Sequence, residues 1–577
     1  MIGLGKMSTQ EKRSGSDEFV EKSDEAAGVA ADSSDSARET TLDLPPEELR
    51  ALAGVFQELA LDYVESSGAL PVFPDTSAEA VAELFRTSLP VEGVSLGDIA
   101  RGCREIIRQS RQNGHPRMFG YVASPASPVG AFASLLAATL NSNVTSWRSA
   151  PAATEVERTV VRWLAGMIGF ASADKNKGCG GLLTSGGSMA NLNALFVAHR
   201  TKAREFARGD SSDAGDTSTT QDASRDERVV SHDSKGLNSR DTHDASREGL
   251  WNAGAPMTIY ASDQVHLSVP KAADILGIGR GQVRVVPSDD DFRVDVRALR
   301  ESVEADRRAG LRPFCVVASA GTVSSGAVDP LADVARVARE HSLWFHVDGA
   351  YGALAASARS KRELFNGLDE ADSISLDPHK WLYTPLGCGC LLFRDPAVAR
   401  AAFAGTEEGY IKVFEQEEDE AFAFWDYGLE LSRPFRALKV WAALLFYGAR
   451  RLSDSIEEDC RVASYMAERV RASEDLELLA PVTLGICCFR YVPAAARREL
   501  EVAAGEEERE RINARLDELN ARVMQRVQRG GVAYVSNAML RGRFALRASI
   551  TNFRTTRRDI EITLDAVRRA AREIENG

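Results

Sequence analysis

The sequence predicts an α/β fold with a central, mostly parallel sheet and a smaller C-terminal α+β domain. Apolar runs of strand length alternate with intervals of helix length between about residues 257 and 380. The run Phe314–Ala320 is apolar almost without interruption, which is typical of a strand buried on both faces of a parallel sheet. From about residue 432, helices give way to alternating strands and a closing helix, which favours a second domain.

The N-terminal part of the chain predicts a tail followed by a helix. Residues 1–44 are rich in Ser, Asp, Glu, Lys and Ala and almost lack aromatic residues, so they predict a disordered tail. Leu44-Pro-Pro-Glu-Glu begins a helix that extends to Leu61, because prolines stand at its entry and acids in its first turn. The remaining divisions are an N-terminal helical segment, a large domain and a small domain, at residues 45–127, 128–431 and 432–577.

The large domain begins with a helix of small residues, Gly130–Leu140, which lies between two turn-rich stretches. Polar and small residues then dominate residues 204–249, which predict a disordered insertion in a surface loop. Beyond it the sequence predicts four strands, at Met257–Asp263, Phe314–Ala320, Leu343–Asp348 and Ser373–Leu376. It also predicts a helix at Leu331–Glu340, between the second and third of these strands. For the small domain it predicts a helix from Arg436 and a strand at Thr483–Arg490. An amphipathic helix follows at Gly505–Val527, then a strand at Phe544–Ile550 and a closing helix at Arg557–Glu575.

Composition excludes several classes of protein. The net charge of −14 over 577 residues argues against a general nucleic-acid binder. No apolar stretch is long enough to span a bilayer, and the N-terminus has no apolar segment typical of a secretory signal. The 8 cysteines are scattered, and those at Cys388, Cys390 and Cys487-Cys488 lie in apolar runs, which favours buried free thiols over a metal site. We therefore expect a cytoplasmic protein without a metal.

A glycine-rich turn, Thr184-Ser-Gly-Gly-Ser188, joins an apolar run to a helix rich in Ala, Asn and Leu. Glycines allow close approach of the backbone to a ligand, and a helix N-terminus offers unpaired N–H groups to an anion. Ser188 adds a hydroxyl, so the turn could hold a phosphate. Many strand–helix turns contain Gly and Ser for structural reasons alone, and both interpretations stay open at this point.

The stretch Asp372–Trp381 is the most informative one. A short strand ends at the Asp377-Pro378 step, and Lys380 follows between His379 and Trp381. A lysine surrounded by bulky apolar groups loses hydration, which favours its neutral, nucleophilic amine. The structural alternative is a surface lysine whose aliphatic stem lies over Trp381.

Chemically useful side chains follow the ends of several predicted strands. His266, Thr322, Asp348 and Lys380 all lie at or just after such ends. Ligands of parallel sheets bind beyond the carboxyl ends of the strands, so these four residues are predicted to share one site.

At this point the motifs are similar to those of the group II pyridoxal-phosphate-dependent amino acid decarboxylases, which include aromatic-L-amino-acid, glutamate and histidine decarboxylases. The resemblance rests on Asp377-Pro-His-Lys-Trp381, with His346-Val-Asp-Gly-Ala350, Gln264-Val-His266 and Thr184–Ser188 in the same order upstream. It covers about residues 45–575 outside the insertion. It implies fold type I of the pyridoxal-phosphate enzymes and a homodimer with active sites between the subunits.

The resemblance also implies roles for single residues. Lys380 would hold pyridoxal 5'-phosphate as a Schiff base, and Asp348 would pair with the protonated pyridine nitrogen. His266 would stack on the ring and guide the substrate carboxylate, although a core histidine is the structural alternative. The phosphate would be held by Gly187, Ser188 and His379. The ring would be lined by Thr322 and Ala350, and the substrate would be approached by Tyr121 and Ser124.

The implied reaction is decarboxylation of an L-amino acid to the amine and carbon dioxide. In the family a tyrosine on a mobile loop protonates the intermediate, but the corresponding stretch, Val413–Phe424, has none. Tyr410 precedes this stretch and Tyr427 follows it, so the proton donor is unassigned and an oxidative, aldehyde-forming reaction is an alternative.

Aromatic amino acids are the favoured substrates, because Tyr121 is retained where aromatic-specific relatives surround the substrate side chain. Acidic or small amino acids are the alternative substrates. A non-catalytic scaffold that binds partners through the tail and the insertion is a further alternative. An aminotransferase is disfavoured, since the Asp-Pro-His-Lys signature belongs to decarboxylases.

Overall fold

The computed structural model describes residues 42–170, 179–213, 255–403 and 420–576. These residues form two units, one of residues 42–61 and 94–102 and the other of residues 62–93 and 103–576. The first unit contains most of helix α1 (Pro46–Ser66) and the beginning of α3 (Leu96–Gln109). The second unit contains both sheets and all of the predicted site residues.

The larger sheet has seven strands and is mostly parallel. Its strands in chain order are β1 (Gly180–Thr184), β2 (Met257–Ser262), β3 (Val283–Val286), β4 (Arg312–Ser319), β5 (Trp344–Asp348), β6 (Ser373–Leu376) and β7 (Gly389–Phe393). In space they follow the order β1-β7-β6-β5-β4-β2-β3. The five strands β6, β5, β4, β2 and β3 are parallel, whereas β7 runs antiparallel to both β1 and β6. This arrangement brings the carboxyl ends of β4, β5 and β6 to the same edge.

The smaller sheet has four antiparallel strands in the order β10-β11-β9-β8. They are β8 (Leu476–Leu478), β9 (Ile486–Tyr491), β10 (Ser536–Leu540) and β11 (Arg543–Ser549). The helices that surround it are α12 (Ala437–Arg471), α13 (Ala494–Val502), α14 (Glu506–Arg529) and α15 (Arg557–Asn576). Within α12, Gly448 has φ 76° and ψ 150°, which kinks the helix.

The remaining helices belong to the first part of the chain and to the surroundings of the larger sheet. They are α2 (Ala78–Phe85), α4 (Pro128–Leu140), α5 (Pro151–Met167), α6 (Gly187–Asp213), α7 (Ser268–Ile275), α8 (Val296–Arg308), α9 (Leu331–Glu340), α10 (Pro378–Trp381) and α11 (Pro396–Phe403). Short 3₁₀ segments lie at Arg280–Gln282, Ala353–Ser357, Arg362–Phe365, Leu368–Glu370 and Phe424–Asp426.

Strand β4 lies inside the larger sheet, between β5 and β2, and is almost completely buried. Its residues Phe314, Cys315, Val316 and Val317 are at most 2% exposed, as expected for a strand covered on both faces. Each fully buried apolar side chain of this size stabilises the fold by roughly 1.5–3 kcal/mol relative to its exposed state. The rigid centre of the sheet therefore supports the residues that follow its strands.

The predicted α/β class with a mostly parallel sheet and a smaller C-terminal sheet is confirmed. The insertion predicted from residue 204 differs at its start, because α6 continues to Asp213. Lys202 pairs with Glu205 at 2.8 Å, and the Arg204 guanidinium donates to the carbonyl of Ala401 in α11, so contacts stabilise this polar part of the helix. Residues 214–249 of that prediction, residues 1–41 of the tail and Tyr410 lie outside the described residues.

Candidate active site

A cavity of about 670 Å³ lies at the carboxyl ends of β4, β5 and β6. Nine of the ten residues predicted for the site line it: Tyr121, Gly187, Ser188, His266, Thr322, Asp348, Ala350, His379 and Lys380. The tenth, Ser124, does not line the cavity, but its Oγ donates to the carbonyl of His379 at 2.7 Å. Residues from the end of β6, the first turn of α6 and the second sheet thus face one space.

Lys380 lies in α10, the single helical turn that follows β6. Its Nζ is 2.8 Å from Oδ2 of Asp377, so the amine is held in an ion pair. This setting differs from the purely apolar one predicted from Trp381 and its neighbours. Oδ1 of Asp377 is buried and has no hydrogen-bond partner among the described residues, and such a buried acceptor is costly unless a ligand or the lysine supplies a donor.

His379 is the second polar residue of the same turn. Its Nδ1 donates to the carbonyl of Cys388 at 2.6 Å, and its Nε2 lies 3.6 Å from Asp377 Oδ2. Burial lowers the pKa of His379 below its usual value. A neutral ring with the proton on Nδ1 therefore lies beside the glycine-rich turn, where a Cβ on Gly186 would be 3.7 Å from His379 Cε1.

Asp348 ends β5, and its carboxylate accepts three hydrogen bonds from its surroundings. The donors are Asn191 Nδ2 at 2.9 Å, the Ala350 N–H at 3.1 Å and Ser375 Oγ at 3.2 Å. No cation of the described residues forms an ion pair with this carboxylate. These three donors fix the position of the Asp348 carboxyl group at the edge of the cavity.

A chain of buried hydrogen bonds fixes the orientation of Asn191. His346 Nε2 lies 3.1 Å from Asn191 Oδ1, and His346 Nδ1 lies 2.9 Å from Ser373 Oγ. Trp344 Nε1 donates to the same hydroxyl at 2.9 Å, so Ser373 can in turn donate to His346. Burial lowers the pKa of His346 to about 4. The neutral imidazole thus orients Asn191, which in turn donates to Asp348; the sequence reasoning assigned no role to Asn191.

His266 lies after β2 and is exposed to the cavity. The N–H of Ser268 donates to His266 Nδ1 at 3.2 Å, and Ser268 Oγ is 2.8 Å from the same nitrogen. Since Nδ1 accepts from a backbone N–H, the neutral ring carries its proton on Nε2. Asn191 also donates to Ser268 at 2.8 Å, so one amide links the residues that hold His266 and Asp348.

The first turn of α6 forms a cradle that depends on glycine. A Cβ on Gly187 would lie 2.6 Å from Cβ of Ala350 and 3.1 Å from Asp377 Oδ2. Ser188 follows with its side chain exposed to the cavity. Thr322, on the opposite wall, uses its hydroxyl to accept the N–H of Ala327 at 3.1 Å. An anion can therefore approach the helix N-terminus without a side chain in its way.

Tyr121 borders the cavity in an unusual backbone conformation, with φ 60°. Its side chain is 55% exposed, and the guanidinium of Arg111 lies 4.9 Å from its ring centroid. The Tyr534 ring is 6.2 Å away, and both rings belong to one aromatic cluster. An aromatic wall therefore adjoins the site on this side.

Arg547 of β11 is a cavity residue that sequence reasoning missed. It is 3% exposed, its Nη1 donates to the Tyr121 carbonyl at 2.6 Å, and its Nε donates to the Val323 carbonyl at 2.8 Å. Its Nη2 is buried without a partner among the described residues, none of which offers it a carboxylate. The signal was present, since Arg547 stands among apolar residues of a predicted strand.

The expected proton donor is not found among the described residues of the loop region. Tyr427 stacks on Phe422 with ring centroids 5.4 Å apart, and burial raises the pKa of its hydroxyl. It does not line the cavity. Residues 404–419 lie outside the described residues, so the donor stays unassigned.

Comparison with known proteins identifies the family. The model of the pyridoxal-dependent decarboxylase conserved domain matches residues 78–220 and 246–492. An aromatic-L-amino-acid decarboxylase of Bacillus atrophaeus is 30% identical over 92% of this chain and 97% of its own length. A phenylacetaldehyde synthase of Petunia hybrida is 27% identical over 89% of this chain and 93% of its own. The crystal structure of Oryza sativa TDC with PLP and tryptamine is similar at TM-score 0.77 and 27% identity, over 93% of this chain and 100% of that one.

The residues of the cavity fit the chemistry of pyridoxal 5'-phosphate. The first turn of α6 brings its N-terminus and Ser188 to the cavity, where a phosphate can bind, the Lys380 amine can bind an aldehyde carbon, and the Asp348 carboxylate can accept a hydrogen bond from a pyridinium. The chain belongs to the pyridoxal-dependent decarboxylase family, has fold type I and is a carboxy-lyase that uses pyridoxal 5'-phosphate.

Proposed function

We propose that this decarboxylase acts on an aromatic L-amino acid and that Lys380, Asp348 and Arg547 form the centre of its site. The main support is that three groups line one cavity. They are the amine of Lys380, the hydrogen-bonded carboxylate of Asp348 and the guanidinium of Arg547, one nitrogen of which has no partner among the described residues. When bound, pyridoxal 5'-phosphate supplies the electron sink for cleavage of the bond to the carboxylate.

The polar residues of the turn and of β5 prepare the site for this cofactor. Asp377 holds the Lys380 amine 2.8 Å away, on the same turn that follows β6. Asp348 presents a carboxylate whose position is fixed by Asn191 and Ser375, so it would hold a proton at the ring nitrogen. His266 would pack on the ring with Nε2–H available to the substrate, and Gly187, Ser188 and His379 would surround the phosphate.

Arg547 would bind the substrate carboxylate. Burial lowers the pKa of Arg547, yet a guanidinium remains charged at neutral pH. Backbone carbonyls hold its Nε and Nη1, which leaves Nη2 for a ligand. A carboxylate bound here would be oriented by a fixed cation, and orientation lowers the barrier to reaction.

The choice of aromatic substrates is supported by three observations. The Bacillus atrophaeus relative is an aromatic-L-amino-acid decarboxylase, and the Oryza sativa structure contains tryptamine, an aromatic amine. In this chain Tyr121 and Tyr534 place aromatic rings beside the cavity. Tyr121 would contact the substrate side chain, and Ser124 would support the turn that carries His379 and Lys380 rather than contact the substrate.

The test is a panel of L-amino acids incubated with the holoenzyme, with products identified by mass spectrometry. We expect tryptophan, tyrosine or phenylalanine to give the corresponding amine and carbon dioxide. Turnover confined to glutamate, aspartate or a small amino acid would contradict the proposed substrate class, without affecting the family assignment.

An aldehyde-forming reaction is the second candidate, and one observation favours it. The stretch Val413–Phe424 contains no tyrosine, and the Petunia hybrida relative is a phenylacetaldehyde synthase. This reaction consumes oxygen and water, and it releases carbon dioxide, ammonia and hydrogen peroxide with the aldehyde. Stoichiometric peroxide in the same assays would identify it, whereas amine without peroxide would exclude it.

We also propose that the chain forms a homodimer through α4 and α12. These two helices pack against each other and carry a cluster of large apolar side chains. In the monomer these side chains are 43–69% exposed to water: Phe132, Leu135, Leu136, Leu140, Leu445 and Phe446. A second copy would cover this apolar face. Light scattering should give twice the chain mass, and Leu135→Asp should give the monomer mass; a wild-type monomer would contradict the proposal.

We also propose that the protein is cytoplasmic. A further part of the proposal is that its domains divide at residues 127/128 and 431/432. All 8 cysteines of the chain are described, and each is a free thiol, which favours a reducing compartment. Among the described residues no helix has the length and apolarity needed to cross a membrane.

A further inference from the structure

We propose that Tyr383 and Asp459 form a positioning pair that fixes the helical turn carrying Lys380. The proposal rests on the role given above to Lys380. Neither residue lines the cavity. The pair would act through the backbone that follows Lys380 and would set the direction of its amine.

The backbone of Tyr383 is the first observation. Tyr383 has φ 51°, in the left-handed region that non-glycine residues rarely adopt. Its N–H donates to the Lys380 carbonyl at 3.4 Å, and its own carbonyl accepts the N–H of Ser127 at 2.7 Å. A strained residue persists only where its surroundings hold it, so Tyr383 is fixed by contacts beyond its own turn.

The side chain of Tyr383 supplies those contacts. It is 2% exposed, and its hydroxyl donates to Asp459 Oδ2 at 2.8 Å. Ser455 Oγ donates to the same hydroxyl at 3.1 Å, and the ring packs edge-on against Phe553 with centroids 5.2 Å apart. Ser455 and Asp459 lie on α12, beyond the kink at Gly448, so the pair joins the lysine turn to a separate helix.

Asp459 is unusual because no cation accompanies it. It is 3% exposed, and none of the ion pairs among the described residues includes it. Its other partner is the backbone N–H of Asn552, and burial raises its pKa well above the usual value. A buried carboxyl with so few partners costs stability, which favours a positional role over a purely stabilising one.

The lysine turn is thereby held at both ends. Ser124 donates to the carbonyl of His379 on one side of Lys380. Tyr383 ties the other side to α12 and to Ser127, the N-cap residue of α4. Loss of the second tie would let the amine turn away from Asp377 while the core stays filled.

The test compares Tyr383→Phe and Asp459→Ala with Tyr491→Phe as a matched control. Tyr491 also donates to a carboxylate, Glu575, at 3.1 Å, but it lies on β9 outside the cavity. Three properties are measured for each holoenzyme: kcat and KM separately, the pH dependence of the visible absorbance of the bound cofactor, and its rate of release into an excess of a cofactor-binding acceptor protein. The melting temperature without cofactor reports the structural effect.

We expect Tyr383→Phe to lower kcat about tenfold with little change in KM, since misorientation of a reacting group costs rate rather than affinity. Cofactor release should be faster, and the pH of the absorbance transition should shift, whereas Tyr491→Phe should match the wild type in all three. Asp459→Ala, which removes the acceptor of the Tyr383 hydroxyl, should follow Tyr383→Phe.

Wild-type kcat, release rate and absorbance transition in both variants would overturn the proposal. If Tyr383→Phe does not fold, Asp459→Ala decides, because it removes the acceptor and preserves the buried ring. The absorbance and release measurements need no substrate, so an error in the proposed substrate class leaves them valid. A holoenzyme of Lys380→Ala with a wild-type absorbance transition would instead show that the role of Lys380 is wrong.

Discussion

Nζ of Lys380 lies 2.8 Å from Oδ2 of Asp377, and both residues belong to the chain segment that leaves β6. Oδ1 of the same aspartate is buried without a partner among the described residues. The lysine is therefore a principal partner of this nearly buried carboxylate, and its removal would leave the carboxylate without its ion-pair partner at the cavity wall.

Replacement of Lys380 by alanine should abolish the covalent link to the cofactor. Borohydride reduction followed by mass spectrometry should find no cofactor-modified peptide in Lys380→Ala, and decarboxylation should fall below detection. Lys361→Ala is the control, since Lys361 donates to the Thr483 carbonyl and does not line the cavity. If Lys380→Ala still yields a reducible adduct, the assignment is falsified.

Asp348→Asn should reduce kcat by about a thousandfold, because a neutral amide cannot stabilise a protonated ring nitrogen in a water-poor site. The circular dichroism spectrum should be unchanged. Asp372→Asn is the control, since Asp372 is a half-buried acid that also accepts a backbone N–H, that of Phe345 at 2.8 Å, but lies outside the cavity. Near-normal turnover of Asp348→Asn would count against the pyridinium role.

Gly187→Ala should weaken cofactor binding by at least tenfold, because the new methyl group would lie 2.6 Å from Cβ of Ala350. Titration of the cofactor-free protein, followed by tyrosine and tryptophan fluorescence, gives the dissociation constant. Gly166→Ala in α5 should leave it unchanged, since nothing lies within 4 Å of a Cβ at that position. Equal affinities of the two variants would exclude the cradle.

Arg547→Lys should raise KM at least tenfold for the preferred substrate, because the ammonium cannot both satisfy the four oxygen atoms to which Arg547 donates and bind a carboxylate. Arg490→Lys provides the comparison. Arg490 is also buried, but Glu477 and Asn513 accept from it at 2.7 and 2.8 Å, and it lies outside the site. An unchanged KM in Arg547→Lys would remove Arg547 from the proposed substrate site.

The stability of the protein should fall as the pH is lowered from about 6.5 to about 4. The imidazole of His346 is buried, which lowers its folded pKa to about 4, whereas an unfolded histidine titrates near 6.5. The unfolded state therefore binds more protons in this window, and the loss from this one residue is on the order of 3 kcal/mol. Urea unfolding from pH 7 to pH 4 should show this slope, and His346→Gln should flatten it; an equal slope would contradict the assignment.

The sequence could predict residues whose signals are local. Lys380, Asp348, Thr322 and His266 follow strand ends, and the order of the strands in the sheet brings them to one cavity, as expected. Helix α9 begins and ends at the predicted residues, Leu331 and Glu340, because its apolar spacing is regular and its neighbours are polar turns.

What could not be predicted depends on contacts between distant parts of the chain. Arg547 comes from the other sheet, and only the position of β11 next to Tyr121 shows that its guanidinium faces the cavity. The bond from Tyr383 to Asp459 has no signature in either local sequence. The ion pair of Lys380 was missed because Asp377 was considered only as the residue that ends a strand.

The order of strands in the larger sheet has a consequence for synthesis of the protein on the ribosome. Among the described strands, β1 is hydrogen-bonded only to β7, so the described partner of the strand before the glycine-rich turn is complete only when residue 393 has been made. The turn therefore cannot reach its final place beside Lys380 while the chain is half translated, and Arg547 arrives later still. Cofactor loading is a late event in the life of the nascent chain, and the edge of β1 must stay protected from other chains until then.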